Sequence, residues 1–191
     1  MCGAFHQHLP KMQGWAESVT QWPTNVNKGD TFPRATIAAM RHDQCEAMRW
    51  GMIAPWANEF DSKYPTHNAR IETVESKPTF RNAWQKQQRC LIPITGYYEW
   101  TGKKGSKTKW YITDKDTDGL VVAGLWESWR YDELSTTMIT REANDFMSKV
   151  HHRMLVYLTP EQGRSWMAGE MTKADAENLE LPNVIYWPAN E

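Results

Sequence analysis

The feature that most constrains this chain is the close spacing of short runs rich in β-branched and aromatic residues, separated by turn-forming residues. Runs at 35–40, 48–53, 70–73, 90–94, 97–100, 109–113, 120–126, 136–140 and 154–158 read as strands. Pro, Asn, Gly and Asp crowd 20–34 and 57–67, which read as loops, and the basic, glycine-bearing stretch 101–108 reads as a hairpin connection. Helical signals are fewer. Thr159-Pro160-Glu161-Gln162 supplies a cap, a proline at the first helical position and a capping-box partner, so a helix is expected from there to Met167. Thr172, with Asp175 three residues on, starts a second helix over 172–179, and 78–87 and 141–149 are short helix candidates. Many strands with scattered helices predict an α+β fold. The expected architecture is a single domain over residues 1–191, with a mixed, mostly antiparallel, barrel-like sheet and short flanking helices.

A chain of 191 residues buries about 70% of its unfolded surface and so holds a core without disulfide or metal. Its 22 Lys and Arg against 23 Asp and Glu exclude a polybasic binder but allow a local basic groove. Cys2, Cys45 and Cys90 are odd in number and widely spaced, which predicts reduced thiols and a cytoplasmic setting. No stretch approaches the ~18 apolar residues of a membrane span, and the first residues lack the charged and apolar regions of a signal peptide. Cys2, His6 and His8, and separately His42 and Cys45, are zinc-ligand types, but their spacings match no structural zinc pattern, so no metal is expected. Phosphate-loop, dinucleotide and metalloprotease motifs are absent, and no cofactor is expected.

Several residues stand out chemically. Once an initiator Met is removed, Cys2 carries an α-amine and a thiol on adjacent carbons, titrating near ~7.7–8.0 and ~8.5 when unperturbed. A 1,2-aminothiol captures an aldehyde as a Schiff base and then closes a five-membered thiazolidine. The alternative is a merely small second residue. Glu99 lies in Gly96-Tyr97-Tyr98-Glu99-Trp100, where alternation places Tyr97 and Glu99 on one face and Tyr98 and Trp100 on the other. A carboxyl group among rings loses hydration and gains a raised pKa, which suits proton transfer; an ordinary surface Glu is the alternative. His151-His152-Arg153 sits where a proton shuttle and a phosphate-binding cation are useful, or where cations simply end a helix. Asn68 and Arg70 leave a loop and enter a strand, and Asn68 either finishes a turn or hydrogen-bonds a substrate. Arg70 either binds phosphate or pairs with Glu72 on one face. Trp56 precedes a polar loop and is a candidate stacking platform, and most of the eleven Trp are expected in the core. Arg70, Lys77, Arg81, Arg89 and Arg153 are candidate phosphate contacts.

Taken in order, these pieces resemble the SOS response-associated peptidase (SRAP) family. The blocks are Met1-Cys2-Gly3, Trp50-Gly51 to Trp56-Ala57, Asn68-Ala69-Arg70 to Glu72-Thr73, Lys77-Pro78 to Phe80-Arg81, Arg89-Cys90-Leu91-Ile92-Pro93, Gly96-Tyr97-Tyr98-Glu99-Trp100, Ala123-Gly124-Leu125-Trp126-Glu127 and His151-His152-Arg153-Met154. The resemblance implies an SRAP-like barrel fold and a protein that shields abasic sites in single-stranded DNA through a covalent crosslink. By motif match, Cys2 would be the nucleophile and Asn68 would position the amine and sugar. Glu99 would move protons, and His151 would assist ring opening and reversal. Arg70 and Arg153 would hold flanking phosphates, and Trp56 would support exposed bases. The implied partner is single-stranded DNA carrying abasic sites, met by a monomer without membrane or metal at the nucleoid. The resemblance also implies an associated autopeptidase activity.

Ala4 departs from the Arg that the family usually carries there, which removes one expected phosphate contact. Two other readings of the sequence compete with this one. One is a thiol peptidase using Cys2 with Glu99 and His151; the other is a non-catalytic single-stranded DNA binding module with salt-sensitive affinity. The joint presence of Cys2, Asn68, Glu99 and His151 argues against the second, since plain binding has no chemical need for all four.

Overall fold

Strand β10 (Glu133–Glu142) organises the fold because its two halves take different neighbours. The computed structural model describes residues 2–8, 22–42, 44–60, 63–130, 133–180 and 183–189. In chain order the other strands are β1 (Ala4–Gln7), β2 (Gly29–Thr31), β3 (Thr36–Arg41), β4 (Gln44–Trp50), β5 (Asn68–Arg70), β6 (Arg89–Ile94), β7 (Gly96–Lys103), β8 (Ser106–Asp114), β9 (Leu120–Trp129), β11 (Arg153–Leu155) and β12 (Val184–Pro188). The helices are α1 (Pro78–Gln85), α2 (Asp145–Ser148), α3 (Pro160–Met167) and α4 (Lys173–Asn178).

The first half of β10 pairs antiparallel with β9 and parallel with β4, at Ser135–Arg49 and Thr136–Trp50. Since β4, β3, β6 and β9 are already paired in that order, these bonds close a five-strand barrel. Closure leaves those strands no free edge. The second half of β10 splays away, pairing parallel with β5 (Met138–Asn68) and antiparallel with β11 (Glu142–Arg153). A separate antiparallel sheet runs β12-β8-β7-β1-β2.

Barrel strands β3, β6 and β9 are buried on both faces. Ala38 and Met40 of β3, Leu91 of β6, and Val121, Ala123 and Leu125 of β9 pack with Phe80, Ala83, Trp166 and Ala176 of the helices. Their alternate neighbours, Ile37, Ala39, Ile92, Ile94 and Val122, pack with Phe5, Tyr97 and Ile112 of the second sheet. Two-sided burial explains why these strands read as continuous apolar runs rather than alternating ones. Helix α3 has the expected capping box between Thr159 and Gln162, and the Trp166 indole nitrogen lies 3.1 Å from both the Cys90 and Gly124 carbonyls, pinning the helix to β6 and β9. Helix α4 begins with the same device at Thr172 and Asp175.

The α+β, barrel-like expectation holds. Local boundaries differ in instructive places. Residues 70–73 are not a strand: β5 ends at Arg70, and Ile71–Thr73 form a 3-10 turn. Residues 141 and 142 belong to β10, so the helix expected over 141–149 shrinks to α2, capped by Asn144. The run at 48–53 starts earlier and ends at Trp50. Within the expected loop 20–34, Gly29–Thr31 form β2; positions 20 and 21 lie outside the described residues. Among the described residues, no helix is long and apolar enough to cross a membrane.

Candidate functional site

Cys2 and strand β1 lie where the second sheet packs against the barrel. β1 pairs with β7 at Ala4–Tyr98 and Phe5–Tyr97, and just before it Cys2 is only 1% exposed. The Asn68 side-chain amide donates to the Cys2 carbonyl at 2.6 Å, tying this segment to β5 at the end of the barrel. Asn68 is itself buried, and its Oδ1 has no hydrogen-bond partner among the described residues, so an acceptor is left over beside Cys2. The Cys2 thiol donates a long contact to the Ala4 carbonyl (3.5 Å). Burial, reinforced by the Glu99 charge, pushes that thiol well above its usual range. It therefore needs a base before it can attack.

Glu99 lies on β7, and alternation works as expected. Tyr97 and Glu99 are buried at 1% and 4% exposure, whereas Trp100 is 36% exposed on the opposite face. Burial lifts the Glu99 carboxyl to about 7, against a smaller opposing pull from the positive amino terminus. Glu99 is thus poised to gain or lose a proton near neutrality. The Tyr97 hydroxyl is hydrogen-bonded to that of Tyr157, and both phenols are raised, chiefly by burial. Tyr157 was not singled out by the sequence, because a Tyr in an apolar strand run carries no local signal.

His151 connects α2 to β11. Its Nδ1 lies 3.0 Å from the Arg153 backbone nitrogen, and accepting that N–H puts the ring proton of the neutral form on Nε2. Burial, with a further push from the amino-terminal charge, lowers its pKa to about 4, so the ring is neutral at physiological pH. It stacks on His152 at 4.3 Å between centroids. Trp50 donates its indole N–H to the His67 carbonyl (2.9 Å), fixing the residue that precedes Asn68.

The candidate cations separate into two groups. Arg70, Lys77 and Arg81 are exposed. Lys77 caps α1 and Arg81 lies one helical turn on, so the two project from the same side of that helix. Arg153 is buried, and Glu72 grips its guanidinium through two hydrogen bonds of 2.7 and 2.8 Å. Glu72 therefore pairs with Arg153 rather than with Arg70. Arg89 is a core cation, lying 4.4 Å from the Trp166 ring and donating to the Met171 carbonyl at 2.8 Å. Trp56 is exposed, at 66%. Next to it Met52, Ile53, Ala57 and Tyr64 help line a cleft of about 350 Å³.

A buried cysteine at position 2, a carboxyl group with a near-neutral pKa, an amide with a spare acceptor and a neutral imidazole are gathered where a barrel meets a second sheet. The chain belongs to the SOS response associated peptidase (SRAP) family, whose model matches residues 1–185. It is 38% identical to the abasic site processing protein YoaM of Bacillus subtilis over 142 residues, covering 71% of this chain and 62% of YoaM. It is 27% identical to the abasic site processing protein YedK of Escherichia coli, covering 100% of this chain and 89% of YedK. Matches to the first Bacillus relatives thus span only 62% and 59% of their lengths. A crystal structure from Bordetella bronchiseptica is 27% identical and superposes with a TM-score of 0.84 over 100% of both chains. One from Bacteroides thetaiotaomicron, at 20% identity, shares the fold with a TM-score of 0.84.

Proposed function

We propose that this chain recognises abasic sites in single-stranded DNA and joins them covalently through Cys2 once Met1 has been removed. The observation that carries the proposal is the 2.6 Å hydrogen bond from Asn68 to the Cys2 carbonyl, which holds the aminothiol residue in the same buried site as Glu99. The names of the relatives supply the lesion, and the residues supply the chemistry.

A ring-opened abasic sugar presents an aldehyde. The neutral Cys2 amine adds to its carbonyl carbon, and loss of water gives a Schiff base. Glu99, with a pKa of about 7, delivers a proton to the departing hydroxyl and takes one from the amine. Glu99, again protonated, passes that proton to the imine nitrogen; the resulting carboxylate takes the thiol proton as sulfur attacks the iminium carbon, and the five-membered thiazolidine closes. The spare Asn68 Oδ1 accepts from the Cys2 amine or from a sugar hydroxyl. Neutral His151 assists sugar opening and, in reverse, release of the adduct. Exposed Arg70, Lys77 and Arg81 meet phosphates, and Trp56 supports an unpaired base. Arg153 reaches a phosphate only by exchanging it for Glu72.

The test is a denaturing gel of purified protein with single-stranded DNA bearing one abasic site, using intact DNA and Cys2→Ala as controls. A shifted band that needs both the lesion and Cys2 supports the proposal. Its absence, with mass spectrometry showing that Met1 has gone, refutes it. Cleavage of a peptide in trans would favour the thiol peptidase instead, and salt-sensitive binding without a covalent band would favour the plain binding module.

A further inference from the structure

The basic hairpin joining β7 to β8 has no part in the chemistry above, yet it continues a patterned surface. Trp100 lies opposite Lys109, Gly102 opposite Lys107 and Tyr98 opposite Tyr111, and Trp187 of β12 is the next partner of Tyr111. Directly paired residues share a face, so these side chains occupy the face of the second sheet turned away from Glu99 and Tyr97. Trp187 and Tyr111 have centroids 5.2 Å apart, Tyr111 and Tyr98 5.2 Å, and Tyr98 and Trp100 6.4 Å, forming a row across three strands. The Lys109 ammonium sits 4.0 Å from the centre of the Tyr98 ring. Both ends of the row are open, with Trp100 at 36% and Trp187 at 43% exposure, and Lys107 is exposed beside it. Gly96 fits the row tightly, since a Cβ there would lie 2.4 Å from the Tyr111 ring.

We infer that this face is a second contact surface for single-stranded nucleic acid, taking nucleotides that flank the site on one side. The inference rests on the proposed function and extends it. Rings on a sheet give sequence-independent stacking, and interleaved ammonium groups match a phosphate repeat. The charge pattern selects a polyanion over an apolar protein partner: Lys103, Lys104, Lys107 and Lys109 all belong to this hairpin. The acid at the row, Asp30, already accepts from Tyr98 Oη at 3.0 Å and lies 3.1 Å from His6 Nδ1, which blunts its repulsion. The two surfaces are opposite faces of β7: Glu99 faces the site, and its neighbours Tyr98 and Trp100 face the row.

The experiment compares the wild type with Lys107→Glu/Lys109→Glu and with Trp187→Ala, each checked for folding by circular dichroism. Three lesion-bearing oligonucleotides are used: one of about five nucleotides, and two of about 20 with the lesion near either end. Expected results are about tenfold weaker binding of one long oligonucleotide, with the salt-dependence slope reduced by about 1.4 in the lysine variant. Crosslinking of the short oligonucleotide stays at the wild-type level. Equal affinity of all three proteins for both long oligonucleotides overturns the inference, as does an equal loss on the short one. Failure of the wild type to crosslink, with one long oligonucleotide still bound more weakly by the variants, overturns the proposed chemistry and leaves this surface standing.

Discussion

Glu99 owes its pKa of about 7 to burial, and this has consequences for both stability and rate. Its folded-state value is raised above the unfolded value of 4.5, so its contribution is fully present below that value. The contribution is lost as pH rises toward 7, and integrating the shift gives about 3 kcal/mol. Chemical denaturation across this range should show stability falling with pH, with the slope reduced in Glu99→Gln. In the proposed reaction the same group sets an alkaline limb, where loss of its proton slows loss of water. Crosslinking by Glu99→Gln should fall by about a hundredfold or more and lose that limb, measured by quenched time courses on denaturing gels. His151, held near 4, contributes no limb between pH 6 and 8. Asn68→Ala removes the tie to Cys2 and should slow crosslinking while leaving the fold intact by circular dichroism.

Among the elements, β11 depends on a distant partner. Arg153 and Glu72 are 81 residues apart in sequence and joined by two hydrogen bonds. Burial opposes ionisation of Glu72, but hydrogen bonding and charge from Arg153 together hold it below its usual range. The stabilisation is therefore present above the ordinary carboxylate pKa and lost as pH falls through the depressed one. Glu72→Gln leaves a buried guanidinium without its counter-charge. Because Glu72 is partly exposed, an expected loss of about 2 kcal/mol is less than that of a fully buried pair, and urea unfolding checks it. Helix α3 offers the contrast. Thr159→Ala removes a capping box and should cost about 1 kcal/mol, lowering Tm by about 2–4 °C without touching crosslinking. That cap was legible because all its parts lie within four consecutive residues. The inward placement of Glu99 was legible because alternation is local. The Glu72–Arg153 pair was not, since sequence spacing favours the nearer Arg70. Nor were β1, β2 and β12, short strands whose identity comes from the sheet they join rather than from their own composition.

At the scale of the molecule, barrel closure sets how much can change. At Gly124 of β9 an added Cβ would meet Cys90 Sγ at 2.8 Å, Ile92 Cδ1 at 2.9 Å and the Thr137 carbonyl oxygen at 3.0 Å. These neighbours sit in strands on both sides of β9, so no single side chain can give way. Gly124→Ala should destabilise by about 1–3 kcal/mol in thermal unfolding. Barrel class was readable from the density of strands, but the identity of the closing pair was not. The parallel β4–β10 contact spans residues far apart in the chain and leaves no local pattern.

The divided allegiance of β10 has a consequence for how such a protein varies. One half closes the barrel, and the other carries β5 and β11, bearing Asn68 at its start and following His151. A single-residue insertion or deletion midway would shift one half against the other and reverse its facing, moving Asn68 and His151 away from Cys2 even if the barrel survived. Length changes are therefore expected to be purged from β10, whose two registers together hold Asn68 and His151 in place around the barrel.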